Sequence, residues 1–560
     1  MGRAVGLGIQ SFEKIRQRQC FYVDKTNFIR KWWENADDVT LITRPRRFGK
    51  TLTMSMLEQF LSVEYAERGE ELFEGLAIWK EEKYRKLQGT CPVIFLSFAD
   101  VKETSFSEAR KKICQVIENL YNQFYFLIGS GHLNEKEKIQ YRNVSASMEK
   151  HVATDSLKAL SKYLFCYYGK KVIILLDEYD TPMQEAYMYG YWDELSEFIR
   201  GILNSAFKTN PYLDRAVMTG ITRVSKESIF SDLNNLTIAT TTSDLYADDF
   251  GFTSAEVYAA LKEYGLEKQM PEVKSWYDGF TFGSKREVYN PWSILNYLKT
   301  GQFSAYWANT SSNHLISSLI RRSGRGMKLV MEDLLKGKSF HTQIDEQIVF
   351  GQLDYRESAV WSLLLASGYL KIEHLSRNKR GGEEYDLALT NREVHLMFEQ
   401  MIDGWFAEQT PAYNDFIQAL EKGDLDAMNE YMNRISLQTF SYFDTGQQPS
   451  AAEPERFYHG FVLGLLVDLS DRYTILSNRE SGFGRYDVML EPLHPSDNAY
   501  ILEFKVRNPK YEKNLEETIS NALAQIKEKK YASSLEAKGI AQEKTYCYGF
   551  AFEGKTVLIG

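Results

Sequence analysis

The sequence is poor in the residues that mark disulfide-rich, fibrous or disordered chains. Its 560 residues include only 5 cysteines, 12 prolines and 36 glycines. The cysteines are scattered, with no Cys-x-x-Cys pair, which argues against a disulfide framework or a zinc ribbon and fits a reducing compartment. The low proline and glycine content argues against a collagen-like or low-complexity chain.

An excess of positive charge and a long apolar run are also missing. The formal net charge is −9, and an acidic protein is not a general polyanion binder, because Lys and Arg contacts supply most non-specific affinity for nucleic acid. A locally basic cleft stays open. The longest apolar runs, at 172–176 and 461–467, are far shorter than the roughly 20 residues that span a bilayer, and the first residues lack a signal-peptide core. We therefore expect a cytoplasmic protein with no membrane partner.

The composition that is present is that of a multidomain globular protein. Hydrophobic residues make up 44% and charged residues 26% of the chain, a normal globular balance. At about 100–200 residues per domain, the length predicts three to five domains. The predicted regions are an α/β region at 1–250, a helical and winged-helix-like region at 251–410, a helical connector that ends in a linker at 411–454, and a compact α/β region at 455–560.

Short apolar runs alternate with helical stretches in the first region. These runs are Val39–Thr43, 92–98, 172–176 and 215–219. Nearly continuous apolar strands between helices are typical of a parallel sheet that is covered on both faces. The sequence therefore predicts a parallel α/β sheet in this region.

The segment that follows the first run has the residues of a phosphate-binding loop. Residues 44–51 read Arg-Pro-Arg-Arg-Phe-Gly-Lys-Thr, and a P-loop is Gly-x-x-x-x-Gly-Lys-Ser/Thr between a strand and a helix. In a P-loop, backbone N–H groups cradle phosphates, the lysine meets the β and γ oxygens, and the hydroxyl binds Mg²⁺. Because Arg44 replaces the first glycine, this segment alone leaves an ordinary basic helix start as an equal alternative.

The third apolar run supplies the second half of a nucleotide site. It ends in Asp177 and Glu178, the arrangement of a Walker B strand, in which the first acid serves Mg²⁺ and the second polarises the attacking water. A buried strand that ends in solvated acids is the competing interpretation for this segment alone. The two segments together, each after a predicted parallel strand, favour nucleotide binding.

Two further segments leave alternatives open. Thr222 and Arg223 follow the fourth run, where a side chain would sense the γ-phosphate or simply end a strand. Asp24-Lys25-Thr26 would meet the nucleotide base, close the site, or cap a helix.

The last region carries a pattern suited to metal-dependent cleavage. Asp487 starts one predicted strand, and Glu503 and Lys505 are two apart on another, so their side chains share a face. Phosphodiester hydrolysis uses carboxylates to hold Mg²⁺ and a cation to steady water or the developing charge, and Glu480 is a further candidate metal ligand. An isolated Glu-x-Lys is usually a solvated face. The run of Lys505, Arg507, Lys510 and Lys513 forms either a phosphate-contacting edge or a solvated loop.

In combination these motifs resemble a known family over nearly the whole chain. The sequence is similar to the bacterial AAA-ATPase-like proteins that carry a C-terminal PD-(D/E)xK nuclease domain. The segments that carry the resemblance are residues 21–26, 44–51, 176–182, 219–223, 277–280, 289–293, 484–487 and 502–505. The resemblance implies a multidomain α/β fold: a P-loop NTPase of the AAA/STAND type, a helical and winged-helix-like middle, and a restriction-endonuclease-like domain at the end.

The pattern and the resemblance give a set of predicted site residues. The expected nucleotide-binding residues are Arg47, Phe48, Gly49, Lys50, Thr51, Asp177, Thr222 and Arg223. The expected catalytic residues are Glu178, Asp487, Glu503 and Lys505, with Gln525 and Tyr531 in support. The expected metal ligands are Thr51, Asp177, Glu480, Asp487 and Glu503.

These residues favour an ATP-regulated, Mg²⁺-dependent nuclease that acts on DNA, with ATP and Mg²⁺ as cofactors. The alternatives are a nucleotide-switched sensor whose nuclease fold only binds nucleic acid, and an ATP-driven motor with a trans arginine finger. A homo-oligomer is compatible with each of them. The acidic charge indicates contact with nucleic acid through one cleft.

Overall fold

A computed structural model describes most of the chain in two compact units. The first unit comprises Met1–Arg321 and Glu332–Met397, and the second comprises Arg322–Met331 and Phe398–Gly560. The described residues are 2–224, 229–230, 233–308, 314–322, 325–345, 350–353, 356–378, 382–407, 413–439, 462–463, 466, 469, 472–477, 480–481, 484–485, 487–494, 497–553 and 556–560.

The first unit is built on a five-stranded parallel sheet. Its strands are β1 (Val39–Thr43), β2 (Val93–Ser97), β3 (Val172–Asp177), β4 (Leu213–Gly220) and β5 (Leu236–Ala239). They lie in the order β2-β3-β4-β1-β5. Every residue of β1 and β3 is buried, as expected of central strands covered on both faces. The predicted parallel α/β sheet is confirmed.

Helices cover this sheet and continue into the middle of the chain. Those that accompany the sheet are α1 (Phe12–Gln17), α2 (Asn27–Asn35), α3 (Lys50–Leu61), α4 (Gly69–Phe73), α5 (Glu82–Leu87), α6 (Phe106–Gln123), α7 (Glu135–Arg142), α8 (Lys150–Tyr168), α9 (Thr181–Tyr189) and α10 (Trp192–Leu203). Those that follow are α11 (Ser254–Glu263), α12 (Met270–Tyr277), α13 (Pro291–Thr300), α14 (His314–Arg322), α15 (Arg325–Leu335), α16 (Glu357–Ala366) and α17 (Arg392–Ala407). None of the helices in the described residues is both long and apolar enough to cross a membrane.

Two small antiparallel sheets lie among the later helices. One has the order β6-β8-β7, from Phe252–Thr253 (β6), Phe280–Phe282 (β7) and Lys285–Tyr289 (β8). The other has the order β10-β11-β9, from Phe340–Thr342 (β9), Leu370–Arg377 (β10) and Glu383–Leu389 (β11). Strands β10 and β11 form an antiparallel pair after helix α16, and the winged-helix-like character of this region stays a prediction.

The second unit contains a mixed five-stranded sheet. Its elements are α18 (Tyr413–Lys422), α19 (Leu425–Thr439), β12 (Tyr473–Ser477), β13 (Glu480–Ser481), β14 (Gly484–Arg485), β15 (Val488–Pro492), β16 (Ala499–Val506), α20 (Leu515–Glu528), α21 (Ser533–Glu536), β17 (Thr545–Glu553) and β18 (Thr556–Ile559). The sheet has the order β12-β15-β16-β17-β18, and only its β16–β17 pair is parallel. The linker predicted at 446–454 lies outside the described residues.

Hydrophobic cores cover both faces of this mixed sheet. One face packs Leu502 and Phe504 against residues of α18 and α19. The other packs Ile501 against Ile526 of α20 and Leu535 of α21. Because strand side chains alternate in direction, Glu503 lies on the α20 side of β16.

Two asparagines of α19 complete the hydrogen bonding of the edge strand β18. Asn429 donates to the Ile559 carbonyl at 2.9 Å and accepts from the Ile559 N–H at 2.7 Å. Asn433 does the same with Val557, at 2.7 and 3.0 Å. Four helical residues rise about 6 Å and two strand residues about 6.6 Å, so the two spacings match. The carboxamides thus take the place of a neighbouring strand and cover the edge.

Replacing either asparagine is expected to destabilise the second unit. Asn429→Ala or Asn433→Ala leaves one backbone donor and one acceptor without a partner, at a cost of about 1–3 kcal/mol. Hydrogen exchange of the β18 amides in the full chain is expected to accelerate in both variants. Glu430→Ala, at an exposed position of the same helix, should leave exchange unchanged. Unaltered β18 protection in both asparagine variants would contradict this role.

Candidate nucleotide and nuclease sites

The loop between β1 and α3 has the conformation that a phosphate cradle requires. Gly49, the N-cap of α3, has φ 85°, a left-handed value that favours glycine. Arg47 also has a left-handed φ, 66°. Lys50 is buried, and its Nζ donates to the carbonyl oxygens of Arg44 at 2.8 Å and Pro45 at 2.9 Å. Its desolvation lowers the pKa of Lys50. The Lys50 side chain therefore bonds to the backbone at the start of the same loop.

The acids at the end of β3 lie beside this loop. Asp177 accepts a hydrogen bond from the Thr51 hydroxyl at 2.7 Å and another from the Thr219 hydroxyl. Burial raises the pKa of Asp177, while these two hydroxyls act in the opposite direction. The next residue, Glu178, has a left-handed φ of 51°, an uncommon conformation for a non-glycine residue that often marks functional sites. The structure thus brings Lys50, Thr51, Asp177 and Glu178 together.

A cavity of about 490 Å³ opens over these residues. Its walls include the 46–53 loop, Glu178, the N-terminal segments 6–10 and 21–25, and Trp292 of α13. The volume is within the range of small-molecule sites. Both basic side chains, such as Arg46 and Lys50, and apolar side chains, such as Ile9 and Leu295, line the cavity, a composition that suits a ligand with phosphate groups and a planar base.

The Asp24-Lys25-Thr26 segment at the rim of this cavity is tied into the surrounding structure. Asp24 accepts from Thr26 and from the Ala77 N–H at 2.7 Å. Lys25 lines the cavity, with its Nζ 2.8 Å from Glu256. These three side chains therefore make hydrogen bonds and an ion pair that stabilise the surrounding structure.

Arg44, at the position of the missing glycine, is a buried structural residue. Its guanidinium donates to the carbonyl oxygens of Thr43, Ala239, Thr240, Leu245 and Tyr246. It also lies over the Phe282 ring, with 4.5 Å between Cζ and the centroid. Burial lowers the pKa of Arg44 to about 9. Arg44 therefore fixes the loops at the end of β5 and does not face the cavity.

Arg47 and Phe48, both predicted to bind nucleotide, point their side chains at the middle region. The Arg47 guanidinium lies over Trp292 at 4.6 Å. The Phe48 ring is buried against Phe280 and Phe282, with centroids 4.8 and 5.3 Å away. For Phe48, only the backbone is in a position to face a phosphate.

Thr222 and Arg223, predicted as candidate phosphate sensors, directly follow Ile221, which lines the cavity. The Thr222 hydroxyl is buried and donates to Asp180 at 2.8 Å. Asp180 also accepts from the N–H groups of Thr222 at 2.8 Å and Ile221 at 3.0 Å. Asp180 and Thr222 therefore stabilise the turn that follows β4.

Asp180 and Gly220 pack together beside the site, and the sequence analysis gives neither of them a role. A Cβ at Gly220 would lie 2.6 Å from Asp180 Oδ1 and 2.7 Å from the Tyr179 ring, so only glycine allows these residues to approach. Asp180 occurs in the segment Asp-Glu-Tyr-Asp, and Gly220 occurs in the segment Thr-Gly-Ile-Thr. Their pairing is a contact between distant segments, which spacing alone does not reveal.

Hydrogen bonds connect the phosphate loop to the middle region. The Arg46 carbonyl accepts from Asn290 Nδ2 at 3.2 Å and from Trp307 Nε1 at 3.0 Å. Glu393, fully buried at the start of α17, accepts from the Ser293 hydroxyl and the Trp307 N–H. Desolvation raises the pKa of Glu393 to about 7. One carboxyl group thus orders both elements that hold the Arg46 backbone.

The raised pKa of Glu393 predicts a pH dependence of stability. Between pH 4.5, its ordinary pKa, and about 7 the native state binds more protons than the unfolded state, so stability falls as pH rises. The difference of about 2.5 units corresponds to about 3 kcal/mol. The unfolding temperature of the wild type should be lower at pH 7.5 than at pH 5, and Glu393→Gln should reduce this difference. The same pH dependence in both proteins would contradict this assignment.

The nuclease-like residues of the second unit meet beside β16. Gln525 of α20 donates through Nε2 to Glu503 and to the Tyr531 hydroxyl, and its Oε1 accepts from Lys505 Nζ at 2.8 Å. Asp487 directly precedes β15, and its Oδ2 accepts from the Phe504 N–H at 2.9 Å. Glu503 is only 3% exposed. One glutamine therefore orders the buried carboxylate and the lysine.

The other residues predicted for the second unit are Glu480 and the basic residues Arg507, Lys510 and Lys513. Glu480 is in β13, and its side chain lies outside the described residues. Within the described part of the chain, no group of three or more His, Cys, Asp or Glu side chains converges as a metal site would. Arg507 turns inward, where it binds Glu553 and the Glu512 and Lys513 carbonyls. Lys510 and Lys513 are exposed.

Comparison with known proteins matches both ends of the chain. Residues 6–230 match the family described as predicted AAA-ATPase, and residues 453–560 match the PD-(D/E)XK nuclease superfamily. A relative from Azotobacter chroococcum mcd 1, named "Uncharacterized protein in vnfD 5'region", is 25% identical over 555 residues, which cover 95% of this chain and 94% of the relative. The predicted resemblance is confirmed: the chain carries an AAA-ATPase-like domain and a C-terminal PD-(D/E)XK nuclease superfamily domain.

Proposed function

We propose that this protein binds and hydrolyses ATP and uses a Mg²⁺-dependent nuclease domain to cleave DNA under the control of that nucleotide. The observation that carries the proposal is the presence of two ordered constellations in one chain. Lys50, Thr51, Asp177 and Glu178 form the first, and Asp487, Glu503 and Lys505 form the second, joined by Gln525. We place the protein in the cytoplasm, where ATP is available and its five free cysteines remain reduced.

The first constellation suits hydrolysis of a nucleoside triphosphate. The N–H groups at the start of α3 would cradle the phosphates, and Lys50 would exchange its two carbonyl partners for phosphate oxygens. Thr51 and Asp177 fit Mg²⁺, because a hydroxyl and a carboxylate are oxygen ligands that this ion takes together with phosphate and water. Bound Mg²⁺ supplies charge neutralisation at the β and γ oxygens. Glu178 would accept the proton of the attacking water.

The second constellation suits phosphodiester hydrolysis. Asp487 and Glu503 would hold Mg²⁺, because one or two carboxylates with substrate phosphate and water are sufficient for this ion. The metal supplies a stronger water nucleophile and stabilises negative charge. Lys505, oriented by Gln525, would lie against the charged phosphate in the transition state. With a net charge of −9, DNA contact would be confined to a limited surface around these residues.

The proposal is tested by comparing the full-length wild type with Lys50→Ala and Glu503→Ala. Linear, nicked and single-stranded DNA and RNA are each incubated with varied ATP and Mg²⁺. We expect Mg²⁺-dependent cleavage of DNA by the wild type, loss of cleavage in Glu503→Ala, and loss of the ATP effect in Lys50→Ala. Binding without cleavage in every condition would instead support a nucleotide-switched nucleic-acid sensor.

A further inference from the structure

Three arginines of the phosphate loop have three different surroundings. Arg44 is enclosed by backbone carbonyls, and Arg47 lies on Trp292. Arg46 lines the nucleotide cavity together with Lys50 and Glu178, and its side chain is exposed. Arg47 is among the nucleotide-binding residues predicted from the sequence, and Arg46 is not.

The backbone and the side chain of Arg46 are held very differently. Its carbonyl is fixed by Asn290 and Trp307. Its guanidinium Nη2 makes a 3.3 Å hydrogen bond to Oε1 of Gln184, a neutral amide of α9. The backbone of Arg46 is fixed, while its charged guanidinium bonds only to a neutral amide in this contact. An anion can replace that amide at little cost, because hydrogen bonds between charged groups are stronger. Glu185 of the same helix and Thr181 also line this part of the cavity.

We propose that Arg46 stabilises the charge on the γ-phosphoryl group during ATP hydrolysis, as an arginine finger supplied in cis. In this reaction, water attacks the γ-phosphorus and the bond from phosphorus to the β,γ-bridging oxygen breaks. ADP leaves with that oxygen, the attacking water becomes part of inorganic phosphate, and its proton passes to Glu178. Negative charge gathers on the γ-phosphoryl and bridging oxygens, where a guanidinium is effective. This inference rests on the proposed ATPase function.

A cis arginine has a consequence for assembly. Motors that borrow the arginine from a neighbouring copy hydrolyse ATP only when assembled. A chain that carries its own arginine turns over ATP alone, so nucleotide hydrolysis acts as a switch within one chain. We therefore expect the ATPase rate per chain to be independent of protein concentration.

The test compares full-length wild type, Arg46→Ala, Arg46→Lys and the surface variant Arg30→Ala. Because a lost transition-state contact lowers kcat without changing KM, Arg46→Ala should lower kcat about 10³-fold and leave KM within about 3-fold. Arg46→Lys should recover part of the rate, and Arg30→Ala should match the wild type. Binding of ADP with aluminium fluoride should weaken in Arg46→Ala, whereas binding of ADP alone should not.

The outcomes separate this inference from the proposed function. A wild type without ATPase activity contradicts the proposed function itself. An active wild type with unchanged kcat in Arg46→Ala overturns the role of Arg46. A wild-type rate per chain that rises with concentration, together with rescue of Arg46→Ala by an added Lys50→Ala protein, shows an arginine supplied in trans and also overturns it.

A separate observation concerns the turn between β16 and α20. Tyr511 is 81% exposed and lies between the exposed residues Lys510 and Lys513. The turn itself is ordered: Glu512 accepts from the Asn508 N–H at 2.9 Å, from Thr518 at 2.8 Å and from Asn521 at 2.7 Å. This hydrogen-bonded turn therefore presents an aromatic ring to solvent five residues after β16.

We infer that this turn contacts nucleic acid, with Tyr511 stacked on a base and the two lysines at phosphates. Bases offer a planar face to aromatic side chains, and lysines supply the electrostatic attraction to the backbone. The inference rests on the proposed nuclease function. It also assigns Arg507 and Glu512 the task of ordering the turn, which explains why the arginine faces inward.

Anisotropy of a labelled single-stranded oligonucleotide, in the presence of Mg²⁺, tests this contact. In a Glu503→Gln background that prevents cleavage, Tyr511→Ala should weaken binding about 5- to 100-fold, whereas Tyr511→Phe should retain it. Tyr125→Ala, at a tyrosine that is 61% exposed in the first unit, is the matched control. No DNA binding by the Glu503→Gln protein contradicts the proposed function. Binding that Tyr511→Ala leaves unchanged overturns the assignment of the turn.

Discussion

Glu503→Gln is expected to lower the rate of DNA cleavage by about 10³-fold or more while ATP hydrolysis stays at the wild-type level. The substitution keeps the shape of a side chain that is 3% exposed and contacts Gln525. It removes the negative charge that would hold the metal ion and so removes metal-assisted activation of water. Losses of this size correspond to about 4 kcal/mol of transition-state stabilisation.

The measurement is the initial rate of cleavage of a linear DNA by the full-length protein with Mg²⁺. Glu516→Gln, an exposed residue of the first turn of α20, is the control and should cleave normally. ATP hydrolysis in the same preparations shows whether the first unit is intact. Wild-type cleavage by Glu503→Gln would contradict the placement of the nuclease site at β16.

Lys50→Ala is the second substitution with a large expected effect, a loss of ATP hydrolysis of about 10²–10³-fold with weakened ATP binding. The ammonium group is the buried cation of the phosphate loop, held by two carbonyl oxygens. Its removal would leave the β and γ oxygens of the proposed ATP without their main positive partner in a site where charges are poorly screened.

A second variant tests whether the loss of activity in Lys50→Ala arises only from disorder of the loop. Asp177→Asn keeps the size of its side chain and should cause a comparable loss, because Thr51 and Asp177 would hold the same ion. Lys111→Ala, at an exposed lysine of α6, should hydrolyse ATP normally. The rate of phosphate release measures all three variants. Normal turnover by both Lys50→Ala and Asp177→Asn would contradict a P-loop mechanism.

The sequence was sufficient where structure depends on local pattern. The strand Val39–Thr43 was predicted with the bounds that the structure gives it, because a fully buried parallel strand is a continuous apolar run. Strand alternation also predicts that Glu503 and Lys505 share a face of their strand, and both contact Gln525 of α20 in the structure.

Contacts between distant segments set the limit of the sequence-based prediction. Arg44 read as a defect of the phosphate loop, whereas it organises carbonyls some 195–202 residues away. The sequence left Thr222 as either a phosphate sensor or a strand end, and the structure shows its hydroxyl donating to Asp180, 42 residues earlier. The link from Asn429 to Ile559 spans 130 residues. In each case the residue type indicates a polar role, and only the fold identifies the partner.

The most direct test of the proposed coupling is the rate of DNA cleavage measured as a function of ATP concentration, at fixed Mg²⁺, for the wild type and Lys50→Ala. The proposal predicts a rate that changes with ATP in the wild type and saturates as the nucleotide site fills. It predicts a rate in Lys50→Ala that does not respond to ATP over the same range. Identical ATP-independent cleavage by both proteins would contradict nucleotide control of the nuclease.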